Sequence, residues 1–443
     1  MKQQVKQKKQ IPQFSHQRPS LDSSSRRGGR GSPKAAILNS QFCTRRYPAE
    51  WEVQHATWLS WPHNEKEWGK ERLQRIRGFY IELINKILEF QNVNLIFANK
   101  DLLKEVSSDK QFVKAIPATG PASTRRLGEA GEARQGRHEL PQQLKKIIIP
   151  NNDIWIRDYG PFFLEMNAPS RHCEKGQSPG EAISQTFSRS GDCFALLRRA
   201  CNDAYRKPLI IDFEFNAWGG KFPPWDLDNN IPKEIAFYLG YEIESYPLIM
   251  EGGALEFSGD GLILTTEECL LNKNRNPNLS KTDIENILKS VFNAEEIIWL
   301  KRGLEGDHTD GHIDNVARFI GPKKVLICKS NDEKDGNYEH LQESIEYLKK
   351  WKHPKTGDKL EIIELPMPDR SSYANFIFVN GGVIVPTFNC PSDKTALEIF
   401  KKVFPDRKIT GIDCSLLIEE GGGLHCMTKQ EPFIWENLKK SVC

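Results

Sequence analysis

The sequence lacks the features of several protein classes. No stretch approaches the roughly 20 consecutive apolar residues of a membrane-spanning helix, and the N-terminus has no apolar run like that of a secretory signal. The ten cysteines have neither the paired close spacings of a zinc ribbon nor the density of a disulfide scaffold. With 62 basic and 59 acidic residues the net charge is only +3, which argues against a nucleic-acid partner. These absences predict a globular, cytoplasmic protein with reduced thiols that binds no membrane.

Three stretches differ in composition from the rest of the chain. Residues 1–46 are rich in Lys, Arg, Ser and Gly, and Asp22 is their only acidic residue. This composition predicts a disordered basic tail; the alternative is an organellar transit peptide, although residues 1–10 form no amphipathic apolar face. Two internal stretches, at about 117–143 and 167–207, are rich in Gly, Ser, Arg and Ala and predict surface insertions. The remainder, 47–443, is expected to form a single domain.

An amphipathic helix followed by two apolar strands recurs along this domain. The predicted helices lie near 71–90, 231–239, 283–292, 341–351 and 394–404, and the strands that follow them at 93–97, 241–246, 296–300, 360–365 and 408–412. The second strand of each copy ends in carboxylates or paired glycines, as in NNDIWIRDYGPFF and IMEGGALEF. We predict an α/β fold of five similar units in a closed ring, with an open α/β sheet as the alternative. In a ring, these polar strand ends converge on one cavity.

The segment DGHIDNVARFI carries a candidate acid/base group. In an extended strand, its residues Asp310, His312 and Asp314 lie two apart and share one face. Carboxylates beside an imidazole raise its pKa and orient its ring, as a general acid/base near neutral pH requires. Two alternatives remain: a histidine satisfied in a surface turn, and a zinc or iron site formed by His308, His312 and Asp314. The sequence has no HExxH motif to support the metal site.

The segment EEGGGLHCMTKQ contains a candidate nucleophile. Three glycines, 421–423, precede Cys426 and allow the backbone to approach a ligand closely. Polar neighbours distinguish this cysteine from Cys269, Cys328 and Cys414, which lie in apolar runs and are expected to be small buried hydrophobes. The same ordinary role is the alternative for Cys426.

Two further strand ends carry carboxylates, Asp158 in WIRDYGP and Glu251 in IMEGGALEF. Turn and cap chemistry is the alternative explanation for each. Together with Asp314 they would surround Cys426 with negative charge, which disfavours a thiolate unless the substrate brings positive charge. A guanidinium fits best, because its planar fork of N–H donors pairs with carboxylates. Trp155 is expected to stack on the substrate, with core packing as the alternative.

Long segments of this sequence resemble the agmatine deiminases, within the guanidino-group-modifying superfamily that includes arginine deiminases, bacterial-type peptidylarginine deiminases and amidinotransferases. The resemblance covers nearly all of the chain from residue 47. Its segments are YPAEWEVQHATWLSWPHN, NNDIWIRDYGPFF, FEFNAWGGKFPPWDLDNNIP, MEGGALEFSGDG, LNKNRNPNLSK, GHIDNVARF and EEGGGLHCMTKQEP. The basic tail and the two insertions depart from the family pattern. The second insertion directly follows the Asp158 segment.

The resemblance implies a pentein α/β propeller, with five ββαβ units and pseudo-fivefold symmetry, as the catalytic domain. It implies Cys426 as the nucleophile, His312 as the general acid/base, and Asp158, Glu251 and Asp314 as carboxylates that hold the guanidinium. The implied reaction converts agmatine to N-carbamoylputrescine and ammonia through a covalent amidino-cysteine, on the route to putrescine, with no metal or organic cofactor. Arginine and peptidyl-arginine are alternative substrates, and a metal-dependent hydrolase is the alternative enzyme. The family also implies a homodimer or a larger homo-oligomer.

Overall fold

The computed structural model describes residues 44–116, 143–167, 208–368, 371–420 and 422–434. Most of the tail and the two predicted insertions lie outside these ranges. The helices within them are α1 (Glu65–Trp68), α2 (Lys70–Leu88), α3 (Lys100–Ser108), α4 (Lys110–Ala115), α5 (Ile156–Tyr159), α6 (Asp226–Asn229), α7 (Ile231–Leu239), α8 (Glu267–Leu270), α9 (Lys281–Phe292), α10 (Tyr338–Lys350) and α11 (Ser392–Val403).

Short strands alternate with these helices, which confirms the predicted mixed α/β class. The strands are β1 (Thr44–Arg46), β2 (Gln54–Ser60), β3 (Asn92–Phe97), β4 (Leu144–Ile148), β5 (Phe162–Asn167), β6 (Leu209–Glu214), β7 (Glu242–Ile249), β8 (Glu256–Phe257), β9 (Leu262–Thr266), β10 (Glu296–Leu300), β11 (Ala317–Gly321), β12 (Lys324–Lys329), β13 (Glu361–Pro366), β14 (Ile377–Val379), β15 (Gly382–Thr387), β16 (Lys408–Asp413) and β17 (Lys429–Pro432).

In the described part of the chain these strands form five sheets. Their strand orders are β1-β5-β6-β7, β8-β9-β10, β11-β12-β13, β14-β15-β16 and β17-β2-β3-β4. Each sheet contains an antiparallel pair followed by a parallel pair, as in β11-β12 and β12-β13. A parallel neighbour requires a crossover. In each sheet, one of the helices α2, α7, α9, α10 and α11 lies in sequence between two parallel strands, and α3 and α4 lie between the additional parallel pair β3 and β4.

The helices cover the sheets through one apolar face. In α2 the buried residues Leu73, Ile76, Tyr80, Leu83 and Ile87 follow the three- and four-residue spacing of a single helical stripe. The central strands β12 and β15 are buried along almost their whole length, as expected for strands with both faces covered. The apolar runs therefore form the core, and the polar residues that interrupt them lie at strand ends.

The predicted helices and strands agree closely with the structure. Helix α7 and strand β10 have the predicted bounds, and the other predicted helices and strands differ by a few residues at their ends. One boundary was wrong: Thr44–Arg46, assigned to the tail from its composition, forms β1 and pairs with β5. Arg46 is fixed there by bidentate bonds to Glu52 and a contact to Glu165. No helix in the described ranges is both long and apolar enough to cross a membrane.

Candidate active site

Short turns at strand ends position the predicted site residues. Asp158 lies in α5, the single helical turn before β5, and Glu251 lies after β7 at the start of a 3-10 turn, Gly252–Ala254. The two turns are joined because the Gly253 amide donates to Asp158 Oδ1 over 2.8 Å. A backbone hydrogen bond of 3.0 Å from Arg157 N to Cys426 O joins α5 to the segment of the candidate nucleophile. The structure thus brings these sequence-distant segments together.

The segment around His312 does not form the strand predicted for it. His312 precedes the 3-10 turn Ile313–Asn315, and Asp314 lies within this turn. Both residues are fully buried. Asp310 has a φ of 63° and Gly311 a φ of 91°. Both values lie outside the extended region, so the backbone is not a strand on the N-terminal side of His312. Asp310 therefore contacts Lys221 and Arg275 instead of sharing a face with His312 and Asp314.

Cys426 is buried, with 2% of its surface exposed. Asn375 Nδ2 donates to its Sγ over 3.3 Å, and Asp314 Oδ2 lies 3.7 Å from the sulfur. Burial and the negative charges of Asp314 and Asp158 raise the pKa of the Cys426 thiol well above its usual value. The raised pKa favours the protonated thiol near neutral pH.

His312 lies among groups that favour its charged form. Its Nδ1 is 3.6 Å from Asp158 Oδ1. Burial alone lowers the pKa of the imidazole, but the charge of Asp158, the Cys269 thiol and the charge of Glu251 raise it well above the usual value. Neither ring nitrogen has a hydrogen-bond partner within the described ranges. His312 is thus an imidazolium able to give a proton to an incoming group.

Asp158 carries a perturbed carboxyl group. Burial, together with the negative charge of Asp314, raises its pKa to about 6, although His312 opposes the shift. Its Oδ2 accepts a 2.9 Å hydrogen bond from the indole of Trp218. A carboxylate that is buried and only partly neutralised is a strong site for a planar cation.

Asp314 is held by the histidine next to Cys426. His425 contacts Asp314 Oδ2 with Nδ1 and Glu50 Oε2 with Nε2, each at 2.8 Å. Burial raises the pKa of Asp314, but the hydrogen bond and charge of His425 lower it below its usual value. Burial and the guanidiniums of Arg157 and Arg318 lower the pKa of His425. The lowered pKa favours the neutral ring, which has one N–H to donate.

Glu251 is a carboxylate of the site and has no exposed surface. Arg275 Nε donates to its Oε1 over 2.9 Å, and Oε2 has no partner in the described part of the chain. The thiol of Cys269 lies beside it. Cys269 is buried, as the sequence predicted, but it lies in α8 and not in a strand. It also lies next to Glu251 and His312, which the sequence did not predict.

The metal site considered from sequence does not form. His308 is an exposed residue whose ring lies near Phe222, while His312 and Asp314 are buried. Among the described residues, the metal-ligand type atoms that cluster within 4.8 Å of one another belong to Glu251, Cys269 and His312 instead.

Trp155 packs against the segment that leads to Cys426. Its ring packs so closely on Gly422 that a Cβ there would be 2.3 Å from a ring carbon. The Trp68 ring lies 6.4 Å away, centroid to centroid. Trp155 therefore packs against both the core and the approach to Cys426.

Comparison with known proteins identifies the family of this chain. Residues 46–432 match the family described as Porphyromonas-type peptidyl-arginine deiminase. The chain belongs to this deiminase family. A Legionella pneumophila protein that is provisionally named an agmatine deiminase is 32% identical over 395 residues, covering 87% of this chain and 94% of its own. The agmatine deiminase of Medicago truncatula is 29% identical, with 87% and 96% covered.

A solved structure agrees with this assignment. A C. jejuni agmatine deiminase, a cysteine-to-serine variant with substrate bound, has a TM-score of 0.66 to this chain. It is 29% identical, and the match covers 88% of this chain and 96% of that one.

Several residues around this deiminase site were missed or left unassigned from sequence. Trp218 lies in the turn Ala217–Gly220, where all four residues have positive φ, and only the motif NAWGG signals this unusual turn. Arg275 and His425 lie in two segments that resemble the family, LNKNRNPNLSK and EEGGGLHCMTKQEP. Their partners, Glu251 and Asp314, lie elsewhere in the sequence. Arg157 is buried against Gln430 and the His425 carbonyl, and Lys221 binds Asp310 and the His308 carbonyl.

Proposed function

We propose that the protein hydrolyses agmatine to N-carbamoylputrescine and ammonia. The observation that carries this proposal is the buried Cys426 thiol beside Asp158 and Asp314, whose negative charges raise its pKa. A thiol in such surroundings is a poor nucleophile for neutral or anionic substrates. A guanidinium both pairs with the carboxylates and supplies the positive charge that releases the thiolate. The relatives named above as agmatine deiminases support the choice of agmatine.

The first half of the proposed reaction forms a covalent intermediate. Asp158 and Asp314 hold the guanidinium nitrogens and keep the group cationic, so that its carbon accepts electrons more readily. As the cation binds, Cys426 loses its proton to solvent and the thiolate attacks this carbon. The C–N bond of the tetrahedral adduct then breaks. Ammonia leaves with a proton from His312, and an amidino-thioether remains.

The second half returns the enzyme to its starting state. The neutral His312 removes a proton from water, and the resulting hydroxide adds to the amidino carbon. Collapse of this second adduct breaks the C–S bond, releases the carbamoyl product and frees Cys426 to take a proton again. Glu251, close to His312 and bonded to Arg275, would stabilise the imidazolium formed in this step.

We also propose that the five sheets close into a pentein propeller with pseudo-fivefold symmetry. The shared order of antiparallel and parallel strand pairs in every sheet supports this arrangement. The same proposal includes a homodimer or larger homo-oligomer and a cytoplasmic location, where thiols such as Cys426 stay reduced.

The test measures ammonia release from agmatine, free arginine and a peptidyl-arginine under identical conditions. We expect agmatine to give by far the highest kcat/KM, Cys426→Ser to abolish turnover, and Cys328→Ser, a buried cysteine in β12, to retain it. A higher kcat/KM for peptidyl-arginine would favour the second candidate, which the description of the family supports. Activity that survives in Cys426→Ser but is lost to a chelator would identify a metal hydrolase and overturn the proposal.

A further inference from the structure

A cluster of three buried side chains beside the nucleophile has the composition of a metal site. The carboxylate of Glu251, the thiol of Cys269 and the imidazole of His312 bring one ligand atom each to within 4.8 Å of one another. All three residues are fully buried. Cys269 has no part in the reaction proposed above, so its position between a general acid/base and a carboxylate calls for a separate explanation.

The polar atoms of this cluster are available to a ligand. Glu251 Oε2 and both ring nitrogens of His312 lack a hydrogen-bond partner among the residues that the structure describes. Buried polar atoms are nearly always paired, because an unpaired one costs about 1–3 kcal/mol. These atoms lie in the pocket that the proposed substrate enters, and together with the buried thiol they form a site that a cation can occupy when the substrate is absent.

The groups behind the cluster are those that orient metal ligands in proteins. His312 Nδ1 faces Asp158 Oδ1 at 3.6 Å, which leaves Nε2 for a cation. Glu251 Oε1 accepts from Arg275, which leaves Oε2. Metal-bound histidines commonly direct their second nitrogen to a carboxylate, and bound carboxylates are hydrogen-bonded in turn.

The ligand types select the class of cation. A thiolate and an imidazole prefer zinc-like ions, whereas Mg²⁺ and Ca²⁺ prefer oxygen ligands. Tetrahedral zinc with bonds of about 2.0–2.3 Å places its ligand atoms roughly 3.3–3.8 Å apart, so the side chains need to close by only about 1 Å. The thiol of Cys269 and the imidazolium of His312 each lose a proton when they bind the cation, so binding releases acid.

We propose that Glu251, Cys269 and His312 bind Zn²⁺ or a similar thiophilic divalent cation, and that this cation inhibits the enzyme. The ion occupies the imidazole and one of the carboxylates that the reaction uses, and it adds positive charge where the guanidinium must enter. Inhibition is therefore competitive with the substrate. The inhibition rests on the proposed function, whereas the binding does not.

The test uses Co²⁺ as a spectroscopic probe, because cobalt bound to a thiolate gives a near-ultraviolet charge-transfer band. The full-length enzyme is compared with Cys269→Ser, Cys426→Ser and Cys328→Ser, in which every other cysteine is retained. We expect one equivalent of the band in the unmodified enzyme, in Cys426→Ser and in Cys328→Ser, and its loss in Cys269→Ser. Zinc added afterwards should remove the band.

Inhibition is measured separately, as the fraction of each variant's own rate. We expect Zn²⁺ to raise the apparent KM for agmatine, a chelator to reverse the effect, and Cys269→Ser to need at least tenfold more zinc. A band that persists in Cys269→Ser, or that disappears in Cys426→Ser, overturns the proposed site. Zinc inhibition of equal strength in Cys269→Ser overturns the mechanism of inhibition. If agmatine proves not to be the substrate, the cobalt spectra still report on the site.

Discussion

Replacing Gly253 by alanine tests how tightly the catalytic groups are packed. A Cβ at this position would lie 2.6 Å from His312 Nδ1, 2.8 Å from Asp158 Oδ1 and 3.0 Å from Asp314 Oδ2. Three proposed catalytic groups would therefore have to move to admit one methyl group. The backbone itself accepts alanine, because φ at Gly253 is not in the left-handed region.

The size of the effect follows from these distances. Ordinary contacts to a Cβ lie at 3.4–4 Å, so His312 must withdraw by about 0.8 Å. A misplacement of about 1 Å costs roughly 10²-fold in rate, and overpacking costs about 1–3 kcal/mol of stability. We expect kcat/KM for agmatine to fall about 100-fold in Gly253→Ala, with the fold retained.

The assay is ammonia release for kcat/KM and denaturant unfolding for stability. Gly78→Ala is the matched control: Gly78 lies in α2, and a Cβ there meets nothing within 4 Å. That change should leave the activity intact and stabilise the helix by about 0.5–1 kcal/mol. A folded Gly253→Ala enzyme with activity within threefold of the unmodified protein would refute the packing described here.

Three further predictions concern charge. In His425→Gln, one of the two contacts of 2.8 Å is lost and Asp314 is less well fixed. We expect kcat to fall about 10–100-fold, and an unchanged kcat would contradict the role given to this ring. An inert guanidinium analogue should lower the apparent pKa of Cys426, measured as thiolate absorbance against pH with Cys426→Ser as the blank; an unchanged or raised pKa would exclude activation by the substrate. Burial raises the pKa of Glu431 to about 7, so its contribution to stability is full below its unfolded pKa near 4.5 and is lost as the pH rises through 7. Glu431→Gln should therefore raise the free energy of unfolding at pH 8 by up to about 3 kcal/mol and leave it nearly unchanged at pH 4, and equal effects at both pH values would contradict this.

Local pattern was sufficient to predict the elements and the segments that converge. The apolar runs of α7 and β10 have no competing signal, so their bounds were predicted to the residue. Asp158, Glu251 and Cys426 were selected because polar residues next to glycines end otherwise apolar strands. The structure brings these segments together, as the sequence predicted.

Contacts that depend on distant partners were not predictable in the same way. Asp310 was placed on the wrong face because Gly311 adopts positive φ, which a two-residue spacing does not reveal. Cys269 was expected to be an ordinary core cysteine, since nothing nearby in sequence shows that His312 lies beside it. The contacts of His425 with Asp314 and Glu50 span 111 and 375 residues, and local sequence patterns carry no information on such pairs.

The strand that follows Cys426 has a consequence for biosynthesis. β17 begins three residues after Cys426 and pairs with β2, and Trp58 in β2 bonds to Glu431 across 373 residues. β2 also pairs with β3, which is synthesised soon after it, but its antiparallel partner β17 leaves the ribosome only after almost the whole domain has been made. A nascent chain that lacks β17 therefore lacks the pairing that holds the segment of Cys426 against β2. Catalysis begins only when the two ends of the domain have met.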